Sequence, residues 1–190
     1  MKLFFKKVNK LSKGFTLVET LVALSIFSVS LIGLMSVLAR GISNTNYIKE
    51  KDTAIYLAQE GIEYMRNMRD TYVLYTTPAL DGWNAFNTKL ATYSCGTGCY
   101  FDPEGIPVTE TMTSLPMYSC SSGNCVVMKY SSTTGKYGYT AGANSVFTRK
   151  ITMQVVNVNE TKISSTVSWV QGSGTPPSVT LSENLYNWVE

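Results

Sequence analysis

The sequence contains no histidine among its 190 residues. Histidine is the usual general base near neutral pH and the commonest metal ligand, so its absence excludes Ser-His-Asp, Cys-His and HExxH sites. No Gly-rich phosphate-binding motif occurs either. Asp102 and Glu104 lie in a turn-like Asp-Pro-Glu-Gly, and we interpret them as solvated turn residues. We therefore expect a protein that is not an enzyme and has no catalytic residue, cofactor or metal.

The first 14 residues lack acidic side chains but contain five lysines: Lys2, Lys6, Lys7, Lys10 and Lys13. Without this segment the chain has eleven Lys and Arg against thirteen Asp and Glu, a net charge of −2, although the full sequence carries +3. Sequence-independent nucleic-acid binding depends on a basic surface. Nucleic acid is therefore not an expected partner of the exported chain.

A stretch with almost no charge follows the lysines, because Phe15 to Ala39 contains only Glu19 as a charged residue. About 20 apolar residues span a bilayer, and flanking lysines favour the cytoplasmic side. We therefore expect a single pass through the cell (inner) membrane, with the N-terminus in the cytoplasm and the bulk of the chain outside. A cleaved secretory signal has a shorter apolar run with its cleavage site after it. An uncleaved signal anchor is the alternative.

Glu19 is costly in a membrane-spanning run, and two explanations for it remain open. Thr16 and Glu19 have the spacing of a capping box, and an acid in the first turn suits the helix dipole. If the chain is cleaved after Gly14, Phe15 gains an amine that is mostly protonated near neutral pH. Glu19 then has a cation to pair with on a neighbouring chain in an apolar helical bundle.

The run Gly14-Phe15-Thr16-Leu17-Val18-Glu19, with its basic leader and long apolar helix, resembles the processing motif of type IV pilins and type II secretion pseudopilins. The resemblance covers residues 1–39. It implies cleavage between Gly14 and Phe15 by a prepilin peptidase, N-methylation of Phe15, and pairing of Glu19 with the Phe15 amine of a neighbouring subunit. It also implies three partners: other pilin subunits, an inner-membrane assembly platform, and membrane lipid before assembly. Many major pilins have a proline where this chain has Ser36, which favours a minor pilin or pseudopilin.

A second helical pattern follows a possible weak point at Gly41 and Ser43–Asn46. Its apolar residues recur at spacings of three and four: Ala54, Leu57, Ala58, Ile62, Met65 and Met68. We place Glu60, Glu63, Arg66 and Asp70 on the polar side, with pairs between Glu63 and Arg66 and between Arg66 and Asp70. The set Leu57, Ala58, Glu60, Glu63 and Arg66 resembles the Leu-Ala-x-Glu-x-x-Glu-x-x-Arg pattern of PilV-like minor pilins and I-type pseudopilins.

From Thr71 the composition shifts to residues that favour strands and turns. We predict a short helix near residues 84–91 and strands at Cys125–Tyr130, Phe147–Val158, Lys162–Gln171 and Val179–Ser182. The core face is formed by Trp169 and the alternating residues Ile151, Met153, Val155, Ile163 and Val167, and Trp188 closes it. The fold class is thus α+β: a long N-terminal helix packed on an antiparallel sheet. The domains are a leader (1–14), a membrane helix (15–40), an amphipathic helix (41–70) and a head (71–190).

The four cysteines occur as two local pairs, Cys95 with Cys99 and Cys120 with Cys125. The spacings differ from the usual CxxC of zinc sites, and the head is expected in an oxidising compartment. We therefore favour two disulfides over a metal site. Four cysteines allow three pairings, of which we prefer the two local ones. Such small loops are expected to rigidify surface tips rather than the whole fold.

These features predict a structural subunit of a type IV pilus or a type II secretion-like filament. The chain is expected in the membrane first, and then in an extracellular pilus or a periplasmic pseudopilus. The alternative is a filament-borne adhesin or DNA-uptake pilin that binds a ligand through its head. That alternative shares the same N-terminus, and it requires a basic or aromatic patch that the sequence does not clearly contain.

Overall fold

The computed structural model describes residues 14–75, 79–103, 112–172 and 174–188. Their contacts divide the chain into two compact units, which separate between Asn46 and Tyr47. The elements in order are α1 (Leu17–Tyr75), α2 (Ala79–Thr92), β1 (Cys99–Phe101), a short 3-10 helix (Met112–Ser114), β2 (Met117–Ser119), β3 (Val127–Ser131), β4 (Lys136–Gly138), β5 (Ala143–Asn157), β6 (Glu160–Trp169) and β7 (Ser178–Tyr186). This arrangement confirms the predicted α+β class.

Helix α1 begins directly after Thr16 and continues for 59 residues. The predicted weak point at Gly41 and Ser43–Asn46 is helical in the structure. The Thr45 hydroxyl donates a hydrogen bond to the Gly41 carbonyl at 2.9 Å, which is the usual helical bond of a Ser or Thr side chain. A glycine inside a helix costs only about 1 kcal/mol relative to alanine, which its neighbours can offset.

The second unit is built around an antiparallel sheet of seven strands. Strand β5 is the longest and lies at its centre. One edge of β5 pairs with β6, which pairs in turn with β7; the other edge pairs with β3 and, at Ile151, with β1. The three-residue strands β2 and β4 close that side by pairing with β1 and β3.

The core lies between the Tyr47–Tyr75 part of α1, α2 and one face of the sheet. The apolar residues predicted for this part of α1 are all buried: Ala54, Leu57, Ala58, Ile62, Met65 and Met68. Opposite them lie Ile151, Ile163, Val167 and Trp169, as predicted, with Met153 partly buried beside them. The prediction for Val155 is wrong: its side chain is 55% exposed, at the irregularity near the end of β5. The prediction for Trp188 is wrong, because its side chain is 49% exposed and lies beside the guanidinium of Arg69.

Helix α2 packs closely on the C-terminal end of α1, and Gly82 marks the contact. A Cβ atom at Gly82 would clash with the carbonyl oxygen of Tyr72 and lie 2.9 Å from its carbonyl carbon and 3.0 Å from the Cα of Val73. These are backbone atoms, so a side-chain rotation cannot relieve the clash.

We therefore expect Gly82→Ala to lower the free energy of unfolding by about 3 kcal/mol, near the top of the range for overpacked sites. The measurement is urea denaturation of the full chain in detergent, followed by circular dichroism. Gly96→Ala is the matched control, because a Cβ there meets no atom of the described residues within 4 Å. If Gly82→Ala and Gly96→Ala have the same free energy of unfolding, α1 and α2 can move apart to accommodate the methyl group without loss of stability.

Candidate functional site

The segment that carries the processing motif is fully accessible in the structure. Gly14 and Phe15 precede helix α1, and the Phe15 side chain is 81% exposed. A Cβ atom added at Gly14 would meet no atom of the described residues within 4 Å. Within the described part of the chain, no contact therefore gives a steric reason for glycine at this position.

Thr16 caps helix α1. Its hydroxyl oxygen accepts a hydrogen bond from the Glu19 backbone N–H at 3.3 Å, and its carbonyl accepts the first helical bond from Thr20. The reciprocal bond of a capping box, from the Thr16 N–H to the Glu19 carboxylate, does not form. Among the described residues the Glu19 carboxylate has no hydrogen-bond or ion-pair partner. Capping therefore uses the backbone of Glu19 and leaves its charge available.

The helix that follows presents apolar side chains on all sides. Every residue from Gly14 to Lys49 is exposed, and α1 is long and apolar enough to span a membrane by length and composition. The hydroxyls of Ser25, Ser28 and Ser30 each donate at 2.8 Å to a carbonyl one turn earlier. A polar group that bonds its own helix is tolerated in lipid. Glu19 differs from these serines because its charge has no such partner.

Two of the four charged residues that sequence reasoning placed on the polar side of α1, Glu60 and Arg66, attach the helix to the sheet. The Glu60 carboxylate pairs with Arg149 of β5 at 2.7 Å. Arg66 donates to the carboxylate of Glu63 in its own helix at 2.8 Å, as predicted. Its guanidinium also donates two hydrogen bonds to the carboxylate of Glu183 in β7, from Nε at 3.1 Å and from Nη2 at 2.6 Å. The hydrogen bond to Glu183 raises the pKa of Arg66.

The predicted pair between Arg66 and Asp70 does not form. Asp70 accepts from Arg69 at 2.5 Å instead, and Arg69 also donates to the Tyr186 carbonyl at 2.6 Å. The pattern Leu57-Ala58-x-Glu60-x-x-Glu63-x-x-Arg66 thus combines a buried stripe with contacts to two strands.

Arg149, the partner of Glu60, is completely buried. Its guanidinium lies 4.2 Å from the centre of the Phe101 ring. Burial raises the pKa of Tyr64 and of Tyr139, the two tyrosines beside the Arg149 guanidinium. The negative charge of Glu60 raises the pKa of Tyr64 further, and the positive charge of Arg149 lowers it. The alternation of β5 contains the signal for this burial, because Arg149 has the parity of Ile151 and Met153.

Both disulfides in the structure join local pairs: Cys95 with Cys99, and Cys120 with Cys125. The expectation that both would lie in surface tips is wrong for the first, because Cys95 and Cys99 are fully buried. The Cys95 carbonyl accepts from Met153 of β5 at 2.9 Å, so this loop is fixed inside the sheet.

The two disulfide loops are also in contact, since the Cys120 N–H donates to the Gly98 carbonyl at 2.9 Å. All four thiols are therefore consumed, and the described residues contain no cluster of three His, Cys, Asp or Glu side chains able to hold a metal ion.

The interpretation of Asp102 as a solvated turn residue is also wrong. Its side chain is 5% exposed and accepts a hydrogen bond from the Thr140 hydroxyl. Glu104, which received the same interpretation, lies outside the described residues. The buried Asp102 thus fixes the turn before Ala143 against the end of β1.

One family model matches the sequence, the prokaryotic N-terminal methylation motif, over residues 9–35. No curated protein matches the chain, and no solved structure matches it either. The matched range contains Gly14, Phe15, Thr16 and Glu19 and ends inside the apolar part of α1. This match supports a type IV pilin-like N-terminus; it does not extend to the sheet.

Proposed function

We propose that this chain is a structural subunit of a type IV pilus or of a type II secretion-like filament, and more narrowly a minor pilin or pseudopilin of the PilV-like kind. The observation that carries the proposal is the matched methylation motif followed by an exposed apolar helix, whose Glu19 carboxylate has no partner among the described residues. The role is assembly, so the chain needs no catalytic site or cofactor of its own. Other proteins hydrolyse the nucleotide that drives assembly.

Processing starts at the segment before α1. A prepilin peptidase cleaves between Gly14 and Phe15, which removes the lysine-rich leader, and Phe15 is then N-methylated. The exposure of Gly14 and Phe15 supports this step, because a peptidase needs an accessible extended bond. Residues 15–40 hold the subunit in the inner membrane, with residues 41–70 and the head (71–190) outside the cytoplasm.

Assembly then moves the apolar helix from lipid into a bundle of equivalent helices. An inner-membrane platform supports this transfer. In the bundle Glu19 pairs with the Phe15 amine of a neighbouring subunit, and Thr16 keeps the first turn of the helix formed while the carboxylate is turned outward. The free Glu19 carboxylate supports this role, since a buried charge needs a partner of opposite sign. The final location is an extracellular pilus or a periplasmic pseudopilus.

The test is the intact mass of the full chain after co-expression with a prepilin peptidase. We expect a product that begins at Phe15 and carries one added methyl group. Gly14→Leu is the matched variant: the structure has space for the side chain, so the head should fold normally while cleavage is lost. A wild-type chain that keeps residues 1–14 under these conditions would identify an ordinary membrane anchor.

A further inference from the structure

Strand β7 forms a long open edge of the sheet. All nine of its residues, Ser178–Tyr186, pair with β6, and with no other strand among the described residues. The other side of the sheet ends in β2 and β4, which have three residues each. An unpaired row of backbone N–H and C=O groups is a template for pairing with another chain.

The usual protections of an edge strand are missing from β7. Its sequence contains no proline, lysine or arginine, and its pairing with β6 has no bulge. Its one charged residue, Glu183, is held by Arg66 on the face of the sheet that packs on α1. Natural proteins usually shorten, charge, bulge or cover such an edge. This edge is not shortened, and nothing in the described part of the chain blocks it, which is the state expected of a strand that accepts a partner.

A cleft of about 580 Å³ runs beside this edge. Gln59, Ile62, Glu63 and Arg66 of α1 line one side, and Leu181, Ser182 and Glu183 of β7 line the other. Alternate side chains of a strand point to the same face of a sheet. A strand added to β7 would therefore direct every second side chain toward this cleft, where the aliphatic groups of Ile62 and Leu181 form an apolar floor.

Two contacts hold the edge in place before any partner arrives. The fork of Arg66 onto Glu183 fixes the middle of β7 to α1, and the bond from Arg69 to the Tyr186 carbonyl, at 2.6 Å, fixes its end. A binding strand that is already ordered costs less conformational entropy on association. The edge and the cleft thus form one preorganised site of the β-augmentation type, in which backbone bonds give affinity and pockets give specificity.

We propose that the edge of β7 and its cleft receive an extended strand from a different subunit of the same filament, an inference that rests on the proposed function. The occupant has an aliphatic side chain facing Ile62 and Leu181, and a lysine or arginine that shares the Glu63 carboxylate with Arg66, since the Glu63 side chain is still 63% exposed. Antiparallel pairing of β7 with itself would set two copies of α1 in opposite directions, which is incompatible with filament helices that all enter one membrane. A one-directional filament requires contacts between unlike surfaces instead.

The probe is a labelled ten-residue peptide with the sequence of β6, Glu160–Trp169, which pairs with β7 in the fold and carries the aliphatic side chains of Ile163 and Val167 on one face. Its binding to the full chain in detergent is measured by fluorescence anisotropy. Two further peptides carry N-methyl groups, one at Ile163, Ser165 and Val167 and the other at Ser164, Thr166 and Ser168. In a strand added to β7, only one of these two sets of backbone amides points toward β7. We expect saturable binding of the parent peptide, at least a tenfold loss for one methylated version, and little change for the other.

Hydrogen exchange gives the second readout. The peptide should protect amides of β7 and leave those of β6 unchanged. No saturable binding up to about 1 mM, equal binding of both methylated peptides, or exposure of β6 amides by strand replacement would each overturn the proposal. Self-crosslinking of Ser182→Cys would also overturn it, by identifying a second copy as the occupant. These measurements need neither peptidase nor filament, so their failure is distinct from a failure of processing.

Discussion

Replacing Glu19 by alanine is expected to leave cleavage after Gly14 intact and to lower incorporation into filaments at least tenfold. The carboxylate has no partner among the described residues, while the hydroxyls of Ser25, Ser28 and Ser30 are satisfied within their own helix. In an apolar bundle the Phe15 amine of the neighbouring subunit would then remain unpaired. A tenfold loss corresponds to about 1.4 kcal/mol, which is modest for an uncompensated charge in a membrane-like interior. The measurement is the ratio of the chain in sheared filaments to the chain in membranes.

Two variants separate charge pairing from other roles of this helix turn. Glu19→Gln keeps the size and the hydrogen-bonding capacity of the side chain, so a similar loss would attribute the effect to charge. Ser25→Ala removes a group whose bond stays inside the helix and is expected to assemble normally. Normal incorporation of Glu19→Ala would show that the carboxylate is not needed, and an uncleaved variant would place Glu19 in peptidase recognition instead.

The long helix and the two longest strands were predictable because each has enough residues for its periodicity to appear. Strand β5 was predicted at Phe147–Val158 and is found at Ala143–Asn157, and β6 was predicted at Lys162–Gln171 and is found at Glu160–Trp169. The Asn-Val-Asn-Glu turn between them provides a strong local signal. Helix α2 was also predicted, but it begins earlier, at Ala79 instead of residue 84.

The short strands β1, β2 and β4 were missed. Three residues are too few to define an alternation, and their conformation depends on pairing with distant segments. Strand β1 shows the cause, because Cys99 lies opposite both Ser119 of β2 and Ile151 of β5. These pairings separate residues by 20 and 52 positions, so no local pattern records them. Strand β7 was shortened in the prediction for a related reason, since Glu183 and Asn184 are poor strand formers that tertiary contacts hold in place.

Of the candidate site, the residue types in the processing motif were visible in the sequence, while the contacts of the charged residues were not. Glu60 and Arg66 have the spacing of an exposed helix face, and only the packed sheet brings Arg149 and Glu183 within reach of them. The fold therefore turns a pattern that resembles a solvated stripe into the attachment between α1 and the strands.

Replacing Glu60 by alanine is expected to cost about 3 kcal/mol of unfolding free energy, the lower end of the range for removing one partner of a buried ion pair. The reason is the partner that remains: Arg149 is fully buried, and Glu60 is its one ion-pair partner within the described part of the chain. The lower end applies because Glu60 itself is 35% exposed, so solvent screens part of the pair. Urea denaturation of the full chain in detergent measures the change.

The matched control lies one turn along the same helix. Glu63→Ala also removes an ion pair with an arginine, but both side chains are exposed, at 63% for Glu63 and 40% for Arg66. Exposed pairs contribute about 0–1 kcal/mol, so this variant should be nearly as stable as the wild type. The double variant Glu60→Ala/Arg149→Met should recover most of the loss, because no buried charge is left without a partner. If Glu60→Ala lowers the free energy of unfolding as little as Glu63→Ala does, Arg149 must find water or another acceptor on its own. The α1–β5 contact would then depend on apolar packing alone.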